Sequence, residues 1–126
     1  MQINYLLGDF LIRVKNTAMA KNKTLSTMSN KQIMAVSNAL KRLGYFDDVK
    51  KDGKKIIVSL AYRHKKPVIT NIKLVSKPGL RIYIDTWELA KRRKPSIYLI
   101  STPKGILSSK EALKVRTGGE VIVEVL

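Results

Sequence analysis

A short charged break in the middle of the sequence, Arg63-His64-Lys65-Lys66-Pro67, limits most strongly how this chain can fold. Charged side chains followed by a proline do not continue a buried strand or a helix. Before the break, apolar residues recur mainly at helical spacing. After it, short segments in which apolar and polar residues alternate are more frequent. We therefore predict an α+β protein of two small lobes. Residues 1–66 form an N-terminal α/β lobe of helix, strand, helix and hairpin, and residues 67–126 form a C-terminal, mainly β lobe with short helices.

The N-terminal lobe has two stretches with apolar residues at helical spacing. The first runs from Ile3 to Ala18, and the second opens with the capping-box pattern Ser29-x-x-Gln32. Asp52-Gly53 is a strong hairpin signal. In chain order we expect a helix over residues 3–18, a strand at Thr24–Met28, a helix from Ser29 to Gly44, and a hairpin of Phe46–Lys50 with Lys54–Tyr62.

The C-terminal lobe consists mainly of short strands separated by turn residues. Ser76-Lys77-Pro78-Gly79 predicts a type II turn, and Ser108-x-x-Glu111 predicts the start of a short helix that Gly118-Gly119 ends. In chain order we expect a strand Thr70–Val75, a returning strand Leu80–Ile84 that completes a hairpin, a helical turn Trp87–Lys91, a strand Ile97–Ser101, a helix Ser108–Lys114, and a last strand in which Val121, Val123 and Val125 alternate.

Positive charge extends over the whole chain. There are 25 Lys and Arg residues against 9 Asp and Glu, a formal charge of +16, and such self-repulsion is normally tolerated when a polyanion neutralises it. A single basic cluster is most often a solvated surface, but several on so short a chain favour phosphate contacts. The clusters are Lys21/Lys23, Lys50/Lys51/Lys54/Lys55, Arg63/Lys65/Lys66 and Lys91-Arg92-Arg93-Lys94.

Composition excludes several classes of function. The chain has no cysteine and a single histidine, His64, which rules out thiolate metal sites and sites with two imidazoles. Ser101, Ser108 and Ser109 would need a general base, and the only imidazole, His64, is far from them in sequence and is expected in a solvated loop. No apolar run approaches the ~20 residues of a membrane span. We expect an intracellular protein that is not an enzyme and has no cofactor, metal or small-molecule substrate.

One hydroxyl-rich loop is a candidate binding site. Ile100-Ser101-Thr102-Pro103-Lys104-Gly105 is followed closely by the helix start at Ser108. Hydroxyls, exposed backbone N–H groups and a cation suit phosphate, sugar and base edges. Tyr83 and Tyr98 lie in apolar alternation and are interpreted as core or edge residues, whereas the role of Trp87 stays open.

Three ordered motifs carry a resemblance to a known family. They are the opening helix Asp9-Phe10-Leu11-Ile12-Arg13-Val14-Lys15-Asn16, the segment Ser76-Lys77-Pro78-Gly79-Leu80-Arg81-Ile82-Tyr83, and Ile100-Ser101-Thr102-x-Lys104-Gly105-Ile106 with Glu111-Ala112 and Gly118-Gly119-Glu120. These resemble the family of the eighth small-subunit ribosomal protein over essentially the full length.

This resemblance implies a structural protein of the small ribosomal subunit. Such a protein binds the central domain of small-subunit ribosomal RNA, helps to assemble the platform, and lies beside other small-subunit proteins. Bacterial members also bind a messenger hairpin and repress their own operon. The implied location is the cytoplasmic ribosome, with an organellar ribosome as the alternative. A nonspecific nucleic-acid-binding protein, suggested by charge alone, is the competing interpretation.

The resemblance also implies which residues contact RNA. The binding loop and the glutamate that helps to hold it match Ser101, Thr102, Lys104, Gly105 and Glu120. The neighbouring turn and strand match Lys77, Arg81 and Tyr83, and the first helix matches Arg13, Lys15 and Asn16. From charge we add Lys91, Arg92, Arg93 and Lys94 as phosphate contacts.

The chain departs from the family pattern at two places near the loop. Pro103 stands where the family usually has a serine, which removes a hydroxyl and a backbone N–H. Lys94-Pro95-Ser96 stands where a glycine-containing segment is usual. We expect both departures to shift affinity toward backbone contacts.

Overall fold

The structure, a computed structural model, describes residues 6–92 and 95–126. These form two compact units, Leu6–Asn71 and Ile72–Leu126. Helices and antiparallel sheets are both present, which confirms the predicted α+β class. The boundary after residue 66 stays a prediction, and the compact units divide between Asn71 and Ile72. Among the described helices, none is long and apolar enough to span a bilayer.

The N-terminal unit packs two helices against a three-stranded antiparallel sheet with strand order β1-β3-β2. Its elements are α1 (Leu6–Met19), β1 (Thr24–Met28), α2 (Lys31–Arg42), β2 (Phe46–Asp52), β3 (Lys55–Leu60), β4 (Tyr62–Arg63) and β5 (Lys66–Pro67). The apolar stripe of α1 is buried at Leu7, Phe10, Leu11, Val14 and Ala18. Ile3, which we predicted in the same stripe, lies outside the described residues.

Helix α2 begins one residue later than its predicted cap. Asn30, not Ser29, is the N-cap, and its side-chain oxygen accepts hydrogen bonds from the backbone N–H groups of Gln32 (2.8 Å) and Ile33 (3.3 Å). Ser29 is held elsewhere, because its own N–H donates to the carbonyl of Lys54 at 2.7 Å. Asparagine and serine are both good caps, so sequence alone could not separate these two neighbours.

The charged break forms a tight hairpin. Tyr62 pairs with Pro67 and Arg63 with Lys66, which leaves His64 and Lys65 as the two turn residues. Both have positive φ, 54° and 65°. Strand β3 ends at Leu60, and neither β4 nor β5 contains a buried residue, so the segment does not continue a buried strand, as predicted. His64 is exposed in the turn, also as predicted.

The C-terminal unit is a five-stranded antiparallel sheet with two short helices. Its elements are β6 (Ile72–Leu74), β7 (Tyr83–Ile84), α3 (Thr86–Lys91), β8 (Ile97–Thr102), β9 (Gly105–Ser108), α4 (Ser109–Lys114) and β10 (Gly119–Val125). The order is β6-β10-β8-β9, and β7 also pairs with β10. One apolar cluster of this unit joins α3, α4 and β8 through Leu89, Ala112 and Ile100.

The predicted hairpin between Thr70–Val75 and Leu80–Ile84 is wrong. Strands β6 and β7 each pair with β10 instead of with each other. Between them Lys77 and Leu80 exchange two backbone hydrogen bonds of 2.9 Å, with Pro78 and Gly79 at the centre and Gly79 at φ +83°. This is the arrangement of a type II turn, so the turn itself is confirmed.

Strand β10 contains a bulge that breaks the predicted alternation of its valines. Val121 is opposite Ile100 and Val123 is opposite Leu99, so Ile122 is an extra residue on β10. Since neighbouring residues of a strand point to opposite faces, Val121 and Val123 lie on opposite faces of the sheet. The sequence pattern predicts Val121, Val123 and Val125 on one face of the sheet. In the structure the bulge places Val123 and Val125 on the face opposite to that of Val121.

Helix α4 has the predicted capping box. Ser108 accepts from the N–H of Glu111, and the Glu111 carboxylate accepts from the N–H of Ser108. The helix ends earlier than the two glycines, because Arg116 adopts φ 55° and Thr117 donates back to the Ala112 carbonyl. Gly118-Gly119 therefore has another role, described below.

Candidate nucleic-acid interface

Three of the predicted site residues form a row across three strands of the C-terminal unit. Ser101 on β8 is directly opposite Glu120 on β10, and Glu120 is directly opposite Tyr83 on β7. Directly paired residues share a face of the sheet. The row therefore lies on the face opposite to Ile100, which packs against the helices. Tyr83 is 67% exposed.

An ion pair fixes the middle of this row. A guanidinium nitrogen of Arg81 lies 3.2 Å from Oε2 of Glu120, and both side chains are partly accessible. Such a surface pair contributes little to stability, but it holds the guanidinium beside Glu120. Lys77, at the neighbouring turn, is exposed. The arrangement places two cations, a carboxylate, a hydroxyl and a phenol within one small region of the C-terminal unit.

The predicted binding loop is the tip of a β-hairpin. Thr102 pairs with Gly105, so Pro103 and Lys104 are the two turn residues. The short strand β9 lies between this tip and α4, so the helix start follows the loop closely, as predicted. Gly105 has φ +112°, a region that side chains avoid. Lys104 is exposed at the end of the hairpin.

The hydroxyl of Thr102 acts inside this turn. It accepts a hydrogen bond from the N–H of Lys104 at 3.1 Å and donates one to the carbonyl of Gly105 at 2.8 Å. The hydroxyl proton of Thr102 is therefore already used in a hydrogen bond within the protein. Thr102 holds the hairpin tip in shape, and any group that it offers to a ligand is limited to the remaining acceptor capacity of its oxygen.

The two glycines before Glu120 are needed for close packing of the strands. A Cβ on Gly119 would lie 2.1 Å from the carbonyl oxygen of Ser101, and one on Gly118 would lie 2.4 Å from that of Ile84. Both distances are impossible for a side chain. We predicted these glycines as a helix stop, and sequence alone gives no sign of the close contact.

The two described residues of the basic run at the end of α3, Lys91 and Arg92, do not share one surface. Arg92 turns inward, where its guanidinium bonds Ser96 Oγ (2.7 Å) and Glu124 (3.3 Å) and lies 3.9 Å from the Tyr98 ring centre. Only 11% of its side chain is exposed. The predicted phosphate contact of Arg92 is corrected to a structural role. Lys91 is exposed, and Arg93 and Lys94 lie outside the described residues.

The predicted residues of the first helix belong to the N-terminal unit. Arg13 donates to the backbone carbonyl of Ser26 at 2.7 Å, which ties α1 to the strand β1. Lys15 is half-buried and Asn16 is exposed. Their part in RNA contact stays a prediction.

Comparison with known proteins identifies the family. The family model described as ribosomal protein S8 matches residues 6–126. The chain is 38% identical over 128 residues to small ribosomal subunit protein uS8 of Roseiflexus castenholzii, with 97% of both chains covered. It is 39% identical over 129 residues to the protein of the same name from Chloroflexus aurantiacus, again with 97% coverage of each.

These matches define a structural ribosomal protein and not an enzyme. The chain belongs to the ribosomal protein S8 family. The resemblance seen in the three motifs is thereby confirmed. A relative from Wolbachia pipientis, 35% identical over 130 residues and covered to 99%, has the same name.

Proposed function

We propose that this protein binds the central domain of small-subunit ribosomal RNA directly and helps to assemble the platform of the subunit. The relatives that match over nearly the whole chain are named as small ribosomal subunit proteins. The formal charge of +16 supports a polyanionic partner. Neighbouring small-subunit proteins are further partners, and the ribosome in the cytoplasm is the location.

The observation that carries this proposal is the row Ser101–Glu120–Tyr83 beside the hairpin tip with Lys104. The hydroxyl and the carboxylate can bond base edges and ribose hydroxyls, and the phenol ring offers a surface for an unstacked base. Lys77, Arg81 and Lys104 supply positive charge for phosphates. A surface that combines base-edge contacts with phosphate contacts suits site-specific binding, since phosphate contacts alone carry no sequence information.

Two finer functions belong to the same proposal. The α1 residues Arg13, Lys15 and Asn16 add a second contact to the RNA from the N-terminal unit. A messenger hairpin that imitates the ribosomal site would bind the same surface, and the protein would then repress translation of its own operon.

The test is a gel-shift titration at moderate salt. It compares a central-domain fragment of small-subunit ribosomal RNA with a scrambled fragment of equal length. We expect a preference of about a hundredfold, or ~3 kcal/mol. Equal affinity for both fragments would contradict the proposal and support nonspecific binding through charge.

The chain offers a matched pair of variants for this test. Lys104 and Lys54 are each the second residue of a two-residue hairpin turn, one in each unit. Lys104→Gln should weaken binding of the specific fragment about tenfold and lower the slope of log K against log salt by ~0.7–0.9. Lys54→Gln should change both much less. An equal effect of the two substitutions would remove the hairpin tip of the C-terminal unit from the interface.

A further inference from the structure

An exposed tryptophan lies on α3, which follows β7 directly. Trp87 is 68% exposed, although a tryptophan side chain gains a great deal from burial. The ammonium of Lys91, one helical turn later, lies 4.5 Å from the centre of its ring. The result is an accessible aromatic surface with a cation beside it.

A neighbouring cation–ring pair has different surroundings. Arg92 stacks on Tyr98 in the interior, and its charge is met by Glu124. Lys91, in contrast, forms no ion pair with any residue that the structure describes. Its charge remains available to an anion from outside the protein.

A shallow depression borders this pair. It has a volume of about 330 Å³ and is lined by Ile84, Glu88, Lys91, Arg92 and Tyr98. Lys91 belongs both to this lining and to the pair with Trp87. The side chains of Ile84 and Tyr98 with the exposed cation of Lys91 suit a flat aromatic group attached to an anion, and the Glu88 carboxylate can accept a hydrogen bond from an amino group. A nucleotide has all of these features.

We propose that Trp87 stacks on an unpaired base of the bound RNA and that Lys91 neutralises the phosphate next to it. This inference rests on the proposed function, because it adds a contact to the same RNA. Stacking of single-stranded bases on exposed aromatic side chains tolerates any base, since every base has a π-face. The contact therefore adds affinity for an unpaired nucleotide without reading its identity.

Trp87 is the only tryptophan of the chain, so tryptophan fluorescence reports on this position alone. The full chain is titrated with the central-domain RNA fragment, and emission and gel mobility are followed together. We expect emission to be quenched in step with binding. A control RNA in which the unpaired bases are paired by complementary substitutions should quench much less.

Two substitutions of Trp87 distinguish stacking by an aromatic ring from simple contact with a large apolar side chain. Trp87→Leu should weaken binding about fivefold to a hundredfold, whereas Trp87→Phe, which keeps a ring, should lose much less. Lys91→Gln should lower the salt slope by ~0.7–0.9, as expected for one phosphate. Lys110→Gln, at an exposed lysine of α4, is the matched control. Because Trp87 and Lys91 are exposed, circular dichroism should show a normal fold for each variant.

The outcomes distinguish this inference from the proposed function. Specific binding with unchanged emission, and wild-type affinity of Trp87→Leu, would overturn the stacking contact while the RNA-binding function stands. Trp87 would then face solvent or a protein neighbour. Failure of the wild-type chain to prefer the central-domain fragment would overturn both proposals together.

Discussion

Strand β10 carries one arginine–glutamate pair near each end. Glu120 pairs with Arg81 at 3.2 Å, and the two side chains are 22% and 44% exposed. Glu124 pairs with Arg92 at 3.3 Å, and here the exposed fractions are 15% and 11%. The interatomic distances are nearly equal, but the surroundings of the two pairs differ.

The bulge at Ile122 causes this difference. Glu120 is opposite Ser101 and Glu124 is opposite Tyr98, two β8 residues that point to opposite faces of the sheet. In a regular strand two residues four apart would share a face. The extra residue turns Glu124 toward the interior, where Ser96 and Arg92 complete its hydrogen bonds. One end of the strand therefore stabilises the fold, and the other presents charged groups at the surface.

The largest effect is expected when the interior pair is broken. Glu124→Ala leaves the Arg92 guanidinium buried without its carboxylate, and we expect the free energy of unfolding to fall by about 3 kcal/mol. Urea denaturation followed by circular dichroism measures this. The double substitution Arg92→Met with Glu124→Leu should recover most of the loss, because both charges are then absent. No recovery would mean that packing of the arginine stem, and not its charge, dominates.

A smaller effect is expected at the hairpin tip beside Glu120. Thr102→Ala removes the hydroxyl that bonds Lys104 N–H and the Gly105 carbonyl, and it should cost about 1 kcal/mol of stability. If Thr102 acts by holding the tip, Thr102→Ser should restore both stability and RNA affinity. Thr102→Ala with normal stability but reduced RNA affinity would instead indicate a direct contact.

The smallest change in stability is expected at the surface pair. Glu120→Gln should alter the free energy of unfolding by less than ~1 kcal/mol, since exposed ion pairs contribute little. Arg81 then loses its carboxylate partner at position 120, and the preference for the specific RNA should fall about threefold to tenfold while nonspecific binding stays equal or rises. A loss of stability as large as that of Glu124→Ala would show that the two ends of β10 have the same role.

Sequence predicted the local elements well because their signals are local. The capping box at Ser108 and the proline–glycine turn at Pro78 each depend on a few adjacent residues. The pairing of β6 and β7 with β10, the bulge at Ile122, and the close approach at Gly119 depend on residues distant in sequence.

The inward turn of Arg92 has the same origin. Its partner Glu124 is 32 residues away in sequence. The bulge that turns Glu124 toward Arg92 cannot be recognised in the pattern of hydrophobic residues. The site residues Ser101, Glu120 and Tyr83 were named from the family motifs. Neither spacing nor periodicity could have placed them in one row.

The turn between β4 and β5 lowers the stability of the protein when no partner is bound. His64 and Lys65 both occupy the left-handed region, at a cost on the order of 1 kcal/mol for each residue compared with Asn-Gly. The chain thus keeps a cation at a position where glycine would fold more easily. A ligand that binds only the folded state raises its stability by mass action. We therefore expect the melting temperature of this protein to rise markedly on addition of RNA.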